Sequence, residues 1–200
     1  MRTLILGGFL GSGKTTVLVQ LAKHLVSRCG TDIQAGVVIL ENEISPNGID
    51  SEILSGEQFT VENLFAGCIC CTSSGQLADS IAKIRSQYSP EWLIIEATGL
   101  AHPDLIKKAL WEDSGIEARI LVIVDSKRWP VIVRAFPDFV VSQLSDCALI
   151  LLNKTDQVTG QQLDAVRESV LSYGVSVPVY PICAMKPIPE KTWAPLVGQE

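Results

Sequence analysis

The chain has 200 residues, 47% of them hydrophobic and 19% charged, with a mean hydropathy of +0.29. That composition excludes a disordered tail or a solvated coil, and the length suffices for one domain with its own core. Sixteen Lys and Arg against 22 Asp and Glu leave a net charge of −6, which argues against nucleic acid or an anionic membrane surface as partner but not against one local basic pocket.

In chain order, the first ten residues have the outline of a short signal peptide, but no small-x-small cleavage site follows and Lys14 breaks the apolar run. Residues 3–6 read instead as a short buried strand. A glycine-rich turn follows, and then a helix over 14–26, where Leu18, Leu21, Ala22 and Leu25 recur at helical spacing. Residues 36–40 form a β-branched strand, 58–65 alternate like a half-buried strand, and 76–88 read as a helix. A strand over 92–95 precedes a helix over 103–112, whose Pro103 suits a first helical turn. Strands over 120–124, 148–152 and 177–180 follow, the last two separated by a helix over 161–172. Every apolar run is strand-length, far below the about 20 residues of a membrane span.

Strands that are apolar on both faces and separated by helices predict a parallel sheet covered on both sides. The fold class is therefore three-layer α/β, with a mostly parallel central sheet and helices on both faces. Residues 1–185 form the main domain. Residues 186–200 read as a proline-rich exit segment, since Pro178, Pro181, Pro187, Pro189 and Pro195 crowd the end of the chain.

Gly8-Phe9-Leu10-Gly11-Ser12-Gly13-Lys14-Thr15 fits G-x-x-x-x-G-K-[ST] at every fixed position, between a strand and a helix, which makes residues 1–185 a nucleotide-binding domain of the P-loop NTPase fold. Phosphate oxygens must approach main-chain N–H groups, so side chains are excluded at Gly11 and Gly13, and the helix start adds its positive end. Gly8, Gly11, Ser12, Gly13, Lys14, Thr15 and Thr16 are the phosphate-binding candidates. Lys14 reaches the β- and γ-phosphates and Thr15 holds Mg²⁺. Asn153-Lys154-Thr155-Asp156 follows a late buried strand. The Asp156 carboxylate there can accept both N1–H and the exocyclic amine of guanine, which selects GTP over ATP, with Lys154 over the base plane and Asn153 tying loops together. Glu96-Ala97-Thr98-Gly99 ends another strand, so Glu96 is a second Mg²⁺ candidate and Gly99 a backbone donor to the γ-phosphate.

Six cysteines do not form a disulfide framework. Cys29, Cys147 and Cys183 stand alone, while Cys68, Cys70 and Cys71 fall within four residues. This reads as a reduced, cytoplasmic chain. Such a cluster suits Zn²⁺, Co²⁺, Ni²⁺ or Cu⁺, with a redox pair or inert buried thiols as the other readings. One loop cannot place three thiolates evenly around an ion, so two thiolates with an outside carboxylate from Glu41-Asn42-Glu43 is the more comfortable set.

The segments G-F-L-G-S-G-K-T-T, E-N-E with G-I-D to Asp50, G-C-I-C-C, E-A-T-G-L-A-H-P and N-K-T-D come in an order that resembles the CobW-type metal-related P-loop GTPases, relatives of the urease and hydrogenase nickel-insertion GTPases. The resemblance covers residues 3 to 185. It implies a GTPase, slow in turnover for want of an obvious arginine finger, that binds a transition metal in a GTP-dependent way and delivers it to a client metalloenzyme or cofactor pathway, with a nucleotide-gated homodimer. It further implies Cys70, Cys71 and Glu41 as metal ligands, with Cys68 next. Asp125 and Gln143 also match family positions and carry no assigned chemistry. Many family members continue into a second domain, whereas the sequence here stops at Glu200, as either a natural single-domain version or a piece of a longer chain would, and Ser45-Pro46-Asn47 replaces the usual glycine-containing turn.

Hydrolysis is expected to rest on the loop amides, Lys14 and Mg²⁺, with Glu43 or Glu41 orienting the water and no obvious arginine finger. The competing readings are a GTPase that assembles or activates a cobalt- or corrinoid-dependent enzyme, a module with one structural zinc, and an ATP-dependent kinase. His24 reads as a surface residue and His102 as a loop histidine without a role. Trp92 reads as packing at a strand edge, and Trp111, Trp129 and Trp193 as core or satellite packing.

Overall fold

A computed structural model of the chain describes residues 1–29, 36–41, 59–63 and 74–198. Within them the strands are β1 (Arg2–Gly7), β2 (Val37–Glu41), β3 (Phe59–Asn63), β4 (Trp92–Glu96), β5 (Ala118–Asp125), β6 (Cys147–Asn153) and β7 (Val179–Pro181). The helices are α1 (Lys14–Val26), α2 (Ser74–Tyr88), α3 (Pro103–Ser114), α4 (Trp129–Ala135), α5 (Pro137–Leu144) and α6 (Gly160–Leu171). Short 3₁₀ turns at Thr155–Gln157 and Glu190–Trp193 and a final helical turn at Ala194–Val197 complete them.

The strands form one sheet in the order β3-β2-β4-β1-β5-β6-β7. Every pairing is parallel. Unbroken apolar runs are what such a sheet requires, because successive side chains enter opposite layers. Leu4 and Leu6 of β1 join one apolar cluster and Ile5 the other, and β2, β4, β5 and β6 divide in the same way. One layer is closed by α2, α3, α4, α5 and α6. The other is closed by α1, through Val17, Leu18, Leu21 and Leu25, together with Ile182, Ile188, Trp193 and Leu196.

The last of these lie in or beside residues 186–198, the stretch that reads as a proline-rich exit. They fold back over β1, β5 and β6, and Gln20 of α1 fastens them, donating to the carbonyls of Ala184 (2.8 Å) and Lys186 (3.1 Å) and accepting from Ile188 N–H (2.8 Å). Prolines here set helical turns, as Pro195 does at the start of the last one.

Three readings are corrected. His24 is not on the surface: it is 9% exposed, its ring 6.4 Å from that of Trp193, because the returning segment covers its flank of α1. Trp111 is not packed but 58% exposed, whereas Trp129 and Trp193 are buried. Helices α4 and α5 were not anticipated. The β-branched run Val131-Ile132-Val133 lacks helical periodicity, and the helices owe their limits to Pro130 and Pro137, each near a helix start.

Trp193 is 1% exposed inside the α1 layer. Replacing it with Ala is expected to cost about 3–5 kcal/mol in urea unfolding, while Trp111→Ala should stay within about 0.5 kcal/mol.

Candidate functional site

A parallel sheet places all its strand C-termini at one edge, which is where such folds bind ligands. Here that edge carries polar side chains in register: Glu41 of β2 pairs with Glu96 of β4, Glu96 with Leu6 of β1 just before the phosphate loop, and Asp125 of β5 with Asn153 of β6.

The phosphate loop joins β1 to α1. Gly8, Gly11 and Gly13 have φ of 139°, 71° and 97°, a backbone that L side chains rarely adopt. Helix α1 starts at Lys14 with neither an acidic residue in its first turn nor a side-chain cap, so its positive end is left to an outside anion. Lys14 is buried, its Nζ 3.1 Å from the Gly8 carbonyl and 3.4 Å from that of Phe9. The Thr15 hydroxyl donates to Glu96 Oε1 at 3.0 Å. A hydroxyl and a carboxylate side by side are the hard oxygen donors that Mg²⁺ takes, so the residues fit that ion. Thr16 is exposed on the next position of α1.

Asn153 locks the loop from the other side. Its Nδ2 donates to the Ser12 carbonyl at 2.8 Å and its Oδ1 accepts from Ala184 N–H at 2.9 Å. A Cβ on Gly13 would meet that amide nitrogen at 2.4 Å, and one on Gly99 would meet Leu10 N at 2.5 Å. Both glycines are thus also required by neighbouring protein, a constraint the motif does not reveal. Lys154, at φ 64°, donates to the Gly11 carbonyl at 2.7 Å. Asp156 stands exposed in the 3₁₀ turn just beyond.

The residue whose importance the sequence did not disclose is Asp125. Its carboxylate has no exposure and receives Lys154 Nζ (2.8 Å), Arg128 Nε (2.7 Å) and the backbone N–H groups of Lys127 and Arg128 (3.1 Å each). Arg128 donates its other hand to the Leu10 carbonyl. Burial works against ionisation of Asp125, but the hydrogen bonds from Lys154 and Arg128 outweigh it and hold the carboxyl below the ordinary aspartate range. The sequence signals were a lone Asp at the end of an apolar strand and its match to a family position, neither of which assigned it any chemistry.

Gln143, also without assigned chemistry, is 2% exposed and donates from α5 to the Ala101 carbonyl. Next to it, Ser142 Oγ lies 2.6 Å from His102 Nδ1 and donates to Asp104 Oδ1 at 2.9 Å, so α5 supports the segment that follows Glu96. Glu41 is 6% exposed at its strand end. Glu43, Cys68, Cys70 and Cys71 lie outside the described residues, and among the described residues no three His, Cys, Asp or Glu side chains gather as a metal site. No described helix is long and apolar enough to cross a membrane.

Comparison with known proteins gives a consistent picture. The CobW/HypB/UreG nucleotide-binding domain family matches residues 2–180. The chain is 30% identical over 179 residues to zinc-regulated GTPase metalloprotein activator 1 of Schizosaccharomyces pombe, covering 84% of this chain and 42% of that protein. It is 29% identical over 170 residues to the zinc chaperone YeiR of Escherichia coli, covering 83% of this chain and 50% of that one. The chain thus spans about half the length of these curated relatives. Among solved structures, nickel-bound HypB of Helicobacter pylori superposes with a TM-score of 0.63 at 18% identity, over 94% of this chain and 80% of that one. Zn(II)-bound YjiA of E. coli gives 0.57 at 22% identity, over 90% and 57%. At these identities the superpositions establish the P-loop α/β fold.

A carboxyl held below its ordinary pKa stabilises the fold above that ordinary value, near pH 4, and the contribution fades as pH falls through the lowered one. Asp125→Asn is expected to cost about 1–3 kcal/mol at pH 7, discounted because Arg128 and Lys154 remain partly solvated. In urea unfolding the gap between variant and parent should narrow as the pH is taken below 4.

Proposed function

The chain belongs to the CobW/HypB/UreG family of nucleotide-binding domains, and from that membership we propose that it is a GTP-binding, slowly GTP-hydrolysing metallochaperone. Its cargo is a transition-metal ion, with Zn²⁺ ahead of Co²⁺ and Ni²⁺ because the similar curated proteins are zinc chaperones and a zinc-regulated activator. It hands the ion to a client metalloenzyme or cofactor-pathway protein.

The carrying observation is the register of Glu41 with Glu96. Glu96 bonds to Thr15 of the phosphate loop, and Glu41 is the proposed carboxylate ligand of the cargo. Asn63 of β3 is the other register partner of Glu41, and Cys68, Cys70 and Cys71 follow five to eight residues further along the chain. The nucleotide and cargo sites thus share adjacent strand ends.

In this reading Gly8, Gly11, Ser12, Gly13 and Thr16 present backbone and hydroxyl donors to the phosphates. Lys14 exchanges its loop carbonyls for phosphate oxygens, and Gly99 offers an amide to the γ-phosphate. Thr15 and Glu96 would hold Mg²⁺, which would supply positive charge against the phosphates. Glu43 orients the attacking water. Asn153 and Lys154 fix the loop beneath the nucleotide, and Asp156 reads guanine. A γ-phosphate that favours the conformation in which Glu41 and the thiolates converge raises metal affinity, and hydrolysis lowers it.

The test is Zn²⁺ affinity by competition with a chelating indicator under reducing conditions, in Mg²⁺-GTP and then Mg²⁺-GDP. At least ~10-fold tighter binding with GTP, about 1.4 kcal/mol of coupling, is the expected result. Equal affinities would separate the metal from the switch and favour a client-activating GTPase with a structural zinc. Asp156→Asn should weaken GTP binding by about 10–100-fold and erase its advantage over ATP, the loss of a charge-assisted pair costing about 1.5–3 kcal/mol.

A further inference from the structure

We propose that Arg128 acts on the bound nucleotide from within the chain, its guanidinium stabilising the charge that develops on the phosphates during GTP hydrolysis. The inference rests on the GTPase reading above and adds to it the arginine that the motifs do not reveal.

Arg128 follows β5 and precedes α4, distant in sequence from the phosphate loop, yet its side chain lies on that loop. Nη2 donates to the Leu10 carbonyl, and a Cβ on Gly11 would sit 3.2 Å from Nη2, 3.6 Å from Nη1 and 3.7 Å from Cζ. Gly11 is one of the residues whose backbone must come close to the phosphates, so the guanidinium stands at the lip of the anion site. It is fixed there rather than swinging free. Nε bonds to the fully buried Asp125 carboxylate at 2.7 Å, and Asp125 receives the backbone N–H of Arg128 as well. A preorganised cation of this kind costs little reorganisation when charge develops, which is what electrostatic catalysis requires.

The guanidinium also has donors to spare. Among the described residues Nη1 has no hydrogen-bond partner, and the side chain is 47% exposed. Charge points the same way: Arg128 and Lys154 share the single negative charge of Asp125, leaving one positive charge in excess beside the loop, in a chain of net charge −6. If structural support were all that was needed, Lys154 and Asn153 already hold Gly11 and Ser12.

The test compares Arg128→Lys and Arg128→Ala with the parent chain in three measurements: single-turnover GTP hydrolysis, GDP affinity, and binding of GDP with aluminium fluoride, which mimics the transferring phosphoryl group. Both variants should lose at least ~10-fold in hydrolysis rate, since arginines in this role contribute far more in other GTPases. GDP affinity should stay within ~3-fold while the aluminium fluoride complex is lost, and free guanidinium should restore part of the rate to the alanine variant. Unchanged hydrolysis in either variant would overturn the inference. So would a parallel fall in hydrolysis and GDP affinity without guanidinium rescue, which is what a loop-supporting residue would give. A parent chain that hydrolyses no GTP would overturn the GTPase reading itself and the inference with it, an outcome distinct from an active parent with an equally active Arg128→Lys.

Discussion

The parallel direction of every strand is the constraint from which the rest of the molecule follows. Parallel pairing calls for crossover connections, so the described helices and the C-terminal segment cover both faces and the strands carry apolar side chains on both sides. It also sends all the strand C-termini to one edge. Glu41, Glu96, Asp125 and Asn153 lie far apart in the sequence, and each is a polar residue that ends an otherwise buried strand. Their proximity is a product of topology: β1 runs between β4 and β5, so the phosphate loop emerges between Glu96 on one side and Asp125 on the other.

At that edge the protein solves an electrostatic problem. An acidic chain must offer a triphosphate a cationic site without scattering unpaired positive charge. Lys14, Lys154 and Arg128 crowd the loop, and the buried Asp125 carboxylate holds the last two in place. Removing charged groups from water is costly, and one carboxylate bonded to two cations and two amides recovers that cost through geometry. The same carboxylate ties the N-K-T-D segment to the phosphate loop, since Lys154 touches both Asp125 and Gly11. The segments proposed to contact base and phosphate are thereby joined by a short polar chain.

Legibility from sequence followed locality. The phosphate loop could be read because its chemistry is written in eight consecutive residues, and the layered α/β fold because strand-length apolar runs alternate with helices at 3.6 spacing. What escaped depends on partners distant in the chain. Nothing in the neighbourhood of Asp125 announces that Lys154 will reach it, nor does Arg128 signal its approach to Gly11. Gly13 and Gly99 were read through phosphate, whereas Asn153 and Leu10 also forbid a side chain there. His24 reads as a surface residue because a stretch dense in proline suggests irregular chain, and only the fold shows that stretch, with the buried Trp193, laid over α1.

Adjacent strands in a sheet stand about 4.8 Å apart, so register partners such as Glu41 and Glu96 bring two carboxyl-bearing residues side by side. Like charges at that spacing repel and favour cations between or upon them. On the proposed reading, a divalent ion held by Thr15 and Glu96 would attract the Glu41 carboxylate, while a second divalent ion held by Glu41 would be repelled by the first. The negative charge of a bound γ-phosphate would offset part of that repulsion, and its departure would remove the offset. Hydrolysis would then weaken cargo binding directly, through the field at a shared sheet edge, before any loop had moved. With Glu41 as the proposed cargo ligand, this charge balance would add a triphosphate-dependent contribution to metal affinity, alongside conformational change in the segments bearing the thiolates.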